Sequence, residues 1–558
     1  MDTNSCFYCR SKDVILCPDC GLVAFCGEKC RKIHRLAFFY QLKEFVTIIY
    51  IFNRPYDQCL PFTIENRGYK GNVVVAVRDI KPFETIIIDR PAIIGPFDDT
   101  LPQCLECYKE VDVNGYKVSH NELYSNIYNC QCRKCNLPLC GPECENGKNH
   151  APECAILSKC SPLISVDDQN SFHPVYSSVA IIRMLSVKDN DPDTWKMVDN
   201  LMDHLDQRRS ESKWDFVREN VLPLIVDRCG YDCEQDVIER IIGIFRTNSV
   251  KWEKKFEDDQ MWRPVGHALC PLFSVLCHSC INNTRYTQTQ SGDMIVRAVV
   301  NIRAGDEITT QYRGPNTGNI LRRPDFPTNW MFQCDCMRCV DPTELGTHAS
   351  TIRCPGCSQP TMLPVSSDMD SVWQCGKCPQ LQLTMDQVKD IVTRLEFELD
   401  TFSYASSPEE WEELLEKFQS VLHDNHYICM KTKRILLQIY GARDGYRLNQ
   451  LTREQLDRKI FLCKNYIEIF SKLEPGFRTW KGRLLEELLG PLTMTMHQDQ
   501  EGGKMAKVEY LMKYKEIMKM LREAAQCRQF DERNDKTDER IGQYYQTWMK
   551  PLQSAIAS

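Results

Sequence analysis

The chain has 558 residues, enough for roughly three or four compact units. Its 42% hydrophobic and 26% charged content is that of a globular protein and excludes a disordered or fibrous chain. Net charge is −7 and lysine and arginine form no basic stripe, so direct nucleic-acid binding, which draws on phosphate neutralisation, is not expected.

The first residues, Met1 to Ser5, show no basic region followed by an apolar one, so no signal peptide is expected. The 31 cysteines arrive largely as C-x2-C pairs with a few histidines. Two thiolates on one tight turn can reach the same tetrahedral zinc ion, so the pattern reads as zinc binding. Thiolate ligands need a reducing compartment, and cytoplasm and nucleus are the expected locations. The first cluster, within residues 1–59, is Cys6, Cys9, Cys17, Cys20, Cys26 and Cys30, followed by His34. Three thiol pairs fall short of two zinc ions, so His34 and a later residue such as Cys59 would complete the set. Between these two lies an apolar insertion at 36–54. Its core, LAFFYQLKEFVTIIYIF, is 17 residues interrupted by Lys43 and Glu44. A membrane span wants about 20 mostly uncharged residues, so a buried helix or strand is expected here and no membrane association.

From Phe62 to Pro96 the β-branched runs VVVAV and TIIID, broken at Lys81-Pro82, predict two short strands. A second cluster follows, with eight ligands for two zinc ions: Cys104, Cys107, Cys132, Cys135, Cys140, Cys144, His150 and Cys154. Residues 172–246 turn helical, with apolar residues at i, i+3, i+4 spacing in 179–185, 214–226 and 236–245. Strand-like sequence returns at 294–302 and 307–312. Cys334, Cys336 and Cys339 offer three ligands and need a fourth, whereas Cys354, Cys357, Cys375 and Cys378 make a self-contained set resembling a zinc ribbon. These zinc sites read as structural, because a catalytic zinc keeps an open position beside histidine or carboxylate ligands. Beyond residue 382 the pattern is all-helical: Leu414, Leu415, Phe418, Val421 and Leu422 share one face, and Ile460, Phe461, Tyr466, Ile467 and Phe470 another. Pro475-Gly476 ends that helix, and Trp480 with Leu484, Leu485, Leu488 and Leu489 begins the next.

Both N-terminal clusters resemble the MYND finger, whose first and third ligand pairs share one ion and whose second and fourth share another. The segment Leu276 to Thr284 (LCHSCINNT), the run Gly305 to Tyr312 (GDEITTQY) and WMFQCDCMRC at 330–339 resemble the core of a SET domain. That core carries an N-H-S-C-x-P-N segment, a G-E-E-(I/L)-T-x-x-Y segment and a cysteine-rich tail. KGNVVVAVRDI at 70–80 is similar to the opening of the same domain. A SET domain interrupted by a MYND finger and a helical insertion, then a helical C-terminal module, is the order of the SET-and-MYND (SMYD) family. The resemblance covers roughly residues 60–558, with an extra N-terminal MYND-like finger as in arthropod members.

The resemblance implies an α+β fold. A SET β-core would be interrupted by a MYND zinc finger and a helical insertion, followed by a zinc-binding post-SET region and an all-α, helical-repeat-like C-terminal domain. The implied boundaries are 1–59 for the imperfect first finger, 60–100 for the N-terminal part of SET, 101–156 for the second finger and 157–245 for the insertion. The SET core would then run over 246–315, the post-SET region over 316–342, the four-cysteine site over 343–380 and the helical domain over 381–558. By the same resemblance Gly71, Asn72, Asn248, Cys277, His278 and Phe332 would hold S-adenosylmethionine. Tyr312 would be catalytic, and Cys280 would complete the zinc site of Cys334, Cys336 and Cys339. The implied activity is protein-lysine N-methylation, on histone or non-histone substrates, by a monomer whose MYND fingers recruit peptide partners. Four positions depart from the family motifs: Val73 for glycine, Cys277 for asparagine, Asn282 for proline and Phe83 for glycine. Of these, Val73 and Cys277 favour the alternative, a catalytically weak SET and MYND interaction scaffold or transcriptional co-regulator.

Overall fold

The structure is a computed structural model. It describes residues 60–97, 103–111, 131–160, 172–256, 262–289, 292–359 and 362–528, together with two short paired strands, β1 (Ile15–Leu16) and β2 (Ala24–Phe25). The expected ligands Cys6, Cys9, Cys17, Cys20, Cys26, Cys30, His34 and Cys59, and the apolar run at 36–54, lie outside the described residues. The chain divides into two compact units: Met1–Val77 with Thr85–Leu276 and Gln288–Val296, and Arg78–Glu84 with Cys277–Thr287 and Arg297–Ser558.

In the first unit, β3 (Phe62–Asn66) pairs antiparallel with β4 (Asn72–Ala76), and Val73, Val74 and Val75 are buried. The stretch 62–96 therefore holds more than the two strands its β-branched runs announce. β5 (Thr85–Asp89) matches the TIIID run, but β3 and the three-residue β6 (Ile93–Gly95) are additional. β6 is too short to show a period, and it is held instead by β8 (Trp262–Leu269), which also pairs with β7 (Val250–Lys255). The helix α1 (Ala151–Leu157) closes the finger, and α2 (Phe172–Asn190) crosses β6 where Gly95 has no side chain. A Cβ on Gly95 would fall 2.4 Å from that of Ala180, so only glycine allows this approach. The run 214–226 begins as a helix at Lys213–Phe216 and continues in wider π-helical turns at Val217–Val221 and Leu224–Arg228. Pro223, which has no amide hydrogen to give, stands between the two wide turns. α3 (Gln235–Asn248) buries Ile238, Ile241, Ile242 and Ile244 along one face.

In the second unit, β9 (Cys277–His278) runs parallel to Thr309–Thr310, which places His278 beside Thr310. α4 (Asn319–Trp330) leads into the three-cysteine segment. Beyond a small three-stranded sheet at Met362–Pro364, Trp373–Cys375 and Gln382–Leu383, the chain is helical. It forms α5 (Met385–Thr401), α6 (Pro408–Val421), α7 (Tyr427–Ala442, broken at Tyr440 and Gly441), α8 (Arg453–Leu473), α9 (Thr479–Glu501) and α10 (Lys507–Arg528). The apolar faces of α5 to α9 meet in one core containing Trp411, Phe418, Leu437, Tyr466, Phe470 and Leu488, and α10 packs on α9 in a second cluster with Leu489, Met496, Tyr510, Ile517 and Leu521. Thr384, Ser407 and Thr452 start three of these helices with reciprocal capping boxes. No helix among the described residues is long and apolar enough to cross a membrane.

Candidate functional site

Four clusters of metal-ligand side chains are present among the described residues, each with its ligand atoms within 4.8 Å of one another. In the finger, Cys104 and Cys107 meet Cys140 and Cys144, while Cys132 and Cys135 meet His150 and Cys154, so the pairs interleave. Cys354, Cys357, Cys375 and Cys378 form a third set, and Cys280 with Cys334, Cys336 and Cys339 a fourth. Zinc–sulfur bonds of about 2.3 Å in a tetrahedron set ligand atoms about 3.8 Å apart. The observed separations fit that requirement. Cys280 Sγ lies 3.9 Å from Cys334 Sγ and 3.5 Å from Cys339 Sγ. Cys132 and Cys154 are 3.6 Å apart, and Cys357 and Cys375 3.7 Å. Zinc bound at these positions would have four protein ligands and no open place for substrate, which makes its role structural.

The groups around the thiolates are buried and specific. Nδ1 of His150 faces Oε1 of Glu153 at 3.3 Å, and Arg183 grips the same carboxylate through Nε at 2.9 Å and Nη2 at 2.5 Å. Arg183 Nη2 also donates to the Leu105 carbonyl at 2.7 Å and Nη1 to the Tyr108 hydroxyl at 2.9 Å. A metal-bound histidine is commonly oriented by such a carboxylate. At the fourth cluster a cation takes that place. Arg322, fully buried, donates from Nε to Cys280 Sγ at 3.2 Å, and Glu344 lies between Arg322 and Arg338 at 3.5 and 2.9 Å. Neither Arg322 nor Arg183 carries a signal in the sequence, since both look like ordinary surface arginines.

The fourth cluster adjoins an aromatic group. The ring of His278 lies 5.3 Å from Tyr312, 4.5 Å from Phe326 and 6.0 Å from Phe332. Tyr312 in turn lies 5.5 Å from Trp330 and 6.3 Å edge-on from Phe332. Phe326 and Trp330 belong to this group but were not singled out from the sequence, although both sit within ten residues of the cysteine tail. His278 has both ring nitrogens engaged. Its Nδ1 accepts the Tyr312 amide at 3.0 Å, and its Nε2 faces Cys280 Sγ at 3.2 Å. The imidazole therefore ties Tyr312 to the thiolate cluster, and a ligand could meet only its ring face or its backbone. Asn283 fastens the same region. Its Nδ2 donates to the Glu307 carbonyl at 2.7 Å and its Oδ1 accepts the Thr309 amide at 2.8 Å. Burial pushes the Tyr312 phenol well above its ordinary range, and Cys277 adds to the push, so the hydroxyl keeps its proton at neutral pH. A cleft of about 340 Å³ opens at Tyr312, with Thr284, Gln311, Glu474, Arg478 and Trp480 in its lining.

The remaining candidates lie in the first unit. Gly71 stands at φ +68, where only Met202 Sδ comes within 4 Å of a would-be Cβ, at 3.9 Å. Its amide donates to the Gly68 carbonyl at 2.8 Å and its own carbonyl accepts from Arg67 at 2.9 Å. The glycine thus offers a bare face more than an unused amide. Asn72 Oδ1 accepts from Asn66 Nδ2 at 3.3 Å. Asn248 ends α3, and its Nδ2 donates to the Met202 and Ile244 carbonyls, both at 2.7 Å, which orients Oδ1 as an acceptor. Taken by itself, the first unit offers a bare glycine face and a fixed amide oxygen, groups that suit an amino-acid moiety, and the second unit by itself offers an aromatic group that suits a cation. Val73, the departure from glycine, is wholly buried in the sheet core.

The SET-domain family model matches residues 71–313. The Drosophila melanogaster SET domain-containing protein SmydA-8, isoform A, is 26% identical over 330 residues. That match covers 57% of this chain and 64% of the relative, so it spans less than two thirds of that relative's length. The Arabidopsis thaliana histone-lysine N-methyltransferase ASHR1 is 22% identical over 78% of this chain and 88% of its own. Mouse histone-lysine N-methyltransferase SMYD3 is 22% identical over 38% and 48%. A solved SET domain of LSMT bound to lysine and AdoHcy aligns over 92% of this chain and 93% of that one at 11% identity. Its TM-score of 0.23 carries no argument. Residues 71–313 of the chain are a SET domain. With a finger that interrupts the domain and a thiolate tail that follows it, the chain is similar to proteins of the SET-and-MYND type.

Proposed function

We propose that this chain is an S-adenosylmethionine-dependent protein-lysine N-methyltransferase, acting on lysines of histones or other proteins. The observation that carries the reading is the joining of Tyr312, His278 and Phe332 to the Cys280, Cys334, Cys336, Cys339 cluster beside an open cleft. The cofactor supplies a methyl group already activated on a sulfonium. Gly71, Asn72, Asn248, Cys277, His278 and Phe332 are the residues that would hold it. The chain's own work is then alignment and exclusion of water. Tyr312, protonated at neutral pH, donates a hydrogen bond that orients the reacting groups. Trp330, Phe326 and Phe332 wall the site, favour cationic groups and keep water out. A lysine entering this apolar surround loses its proton readily, because burial lowers an amine's pKa. No strong general base is needed. The MYND fingers are read as recruiters of peptide partners, with cytoplasm and nucleus as the place of action.

Radiolabelled methyl transfer from S-adenosylmethionine to a histone mixture and a cell extract tests the reading, with zinc-loaded protein. Transfer to protein lysine supports it, and its absence together with absent cofactor binding contradicts it. The rival reading, an interaction scaffold with little activity, draws on Cys277, which lacks the side-chain amide the family places there, and on Val73 in a glycine position.

A further inference from the structure

Two of the residues that depart from the SET motifs, Phe83 and Asn282, find their partners on one short segment, Pro475–Arg478, between α8 and α9. Phe83 stands at φ +73, a left-handed conformation that costs a bulky residue about 1 kcal/mol or more. Its ring lies 4.7 Å from that of Phe477, and its amide donates to the Ala298 carbonyl at 2.9 Å. Asn282 accepts twice from Arg478 Nη2, through its carbonyl at 2.8 Å and Oδ1 at 3.1 Å. Arg478 Nη1 donates to the Thr284 carbonyl at 3.0 Å, and Asn282 Nδ2 to the same carbonyl at 2.6 Å. Arg478 is only 4% exposed, and the partners of its guanidinium are carbonyl and amide oxygens, not carboxylates. A buried cation held this way is costly unless every bond is kept, so its position is closely fixed. Between Phe477 and Pro475, Gly476 at φ +86 packs so close to the Val299 carbonyl that a Cβ would fall 2.1 Å from its oxygen. The Phe477 amide donates to that same carbonyl at 3.0 Å.

This segment is also one wall of the cleft that opens at Tyr312, through Glu474, Arg478, Thr479 and Trp480. We infer that Phe83 and Asn282 are positioning residues that clamp the 474–480 wall through Phe477 and Arg478, and so set which lysine-bearing peptides enter the cleft. The two motif departures are then matched to this wall. A proline at 282 would keep the carbonyl but lose Oδ1 and Nδ2, and a glycine at 83 would relieve the backbone but lose the ring contact. What enters the cleft rests on the methyltransferase reading above; the clamp itself rests on these contacts.

The test uses the full zinc-loaded chain and the best peptide from a lysine-peptide array. Asn282→Pro, Arg478→Lys and Phe83→Gly are compared with wild type for peptide KM, kcat and S-adenosylmethionine Kd. Peptide KM is expected to rise roughly five- to ten-fold, with kcat and cofactor Kd within about two-fold, the size expected for lost buried hydrogen bonds. The double variant Asn282→Pro/Arg478→Lys is expected to be little worse than either single one, because both act on the same bonds. Unchanged KM, or equal losses in kcat and cofactor affinity, overturns the inference. If wild type transfers no methyl group, the methyltransferase reading fails by itself, and hydrogen exchange then decides the clamp. Faster exchange at 474–480 in Asn282→Pro and Phe83→Gly supports it, and unchanged exchange overturns it.

Discussion

The MYND finger and the post-SET cluster solve the same coordination problem with opposite surroundings. The finger draws its ligands from one stretch, Cys104 to Cys154, and supports His150 with a buried carboxylate that Arg183 neutralises. The post-SET cluster joins Cys280 to a tail 54 positions later and supports its thiolates with the guanidinium of Arg322. A cluster closed in sequence stabilises its own loop. One that spans distant segments orders what is threaded between them, here Tyr312, Phe326 and Phe332, and holds His278 two positions before Cys280. The difference predicts that damage to the two places has different consequences.

The largest expected effect is at the distant cluster. Cys334→Ser is expected to lose one equivalent of zinc and to abolish cofactor binding, while Cys357→Ser, in the self-contained four-cysteine site, loses zinc but keeps cofactor binding. Metal analysis together with calorimetry reads both, and equal behaviour would erase the distinction. Tyr312→Phe comes next. It removes one oriented donor and is expected to lower kcat about 10²-fold with cofactor affinity nearly unchanged, as measured by methyl transfer. In the surrounding shells, Arg183→Met strands the buried Glu153 and is expected to cost about 3–5 kcal/mol of stability. Arg322→Met leaves Glu344 still paired with Arg338 and is expected to cost less, about 1–3 kcal/mol. Denaturant titration of the two variants would sharpen or reverse that order.

The smallest expected effect is a pH dependence at Asp89. Its carboxylate is buried and accepts the Leu272 and Phe273 amides at 2.8 and 2.9 Å, with the buried Cys270 thiol nearby. Burial raises its pKa from 3.8 to about 7 despite those bonds. Between these values the folded protein holds a proton that the unfolded chain has released, so this contribution is full below about pH 4 and is lost as pH rises through about 7. Asp89→Asn is expected to flatten that part of the stability profile in thermal melts, and an unchanged slope would assign it to another group.

Much of this was legible because ligand chemistry leaves regular spacing. The finger's ligands and the four-cysteine set follow from their paired spacing, the interleaving of the finger's pairs from its resemblance to the MYND finger, and the helices after 382 from their apolar faces. The meeting of Cys280 with the tail came from the resemblance to a SET domain, since nothing local marks Cys280 as the missing ligand. What stayed hidden was of two kinds. Short or irregular elements carry too few residues for a period, as at Ile93–Gly95 and in the wide turns either side of Pro223. Buried arginines look like surface ones until the fold brings up a partner: Glu153 is 30 positions from Arg183, and Asn282 is 196 from Arg478. Phe83 and Asn282 read as defects in a motif, and only their partners on Pro475–Arg478 give them a purpose.

The most direct measurement is calorimetric titration of S-adenosylmethionine into the zinc-loaded wild-type chain and into Cys280→Ser. Saturable binding by wild type, lost in the variant, is the expected result. Binding that survives the loss of Cys280, or no binding to wild type at high micromolar cofactor, would contradict it.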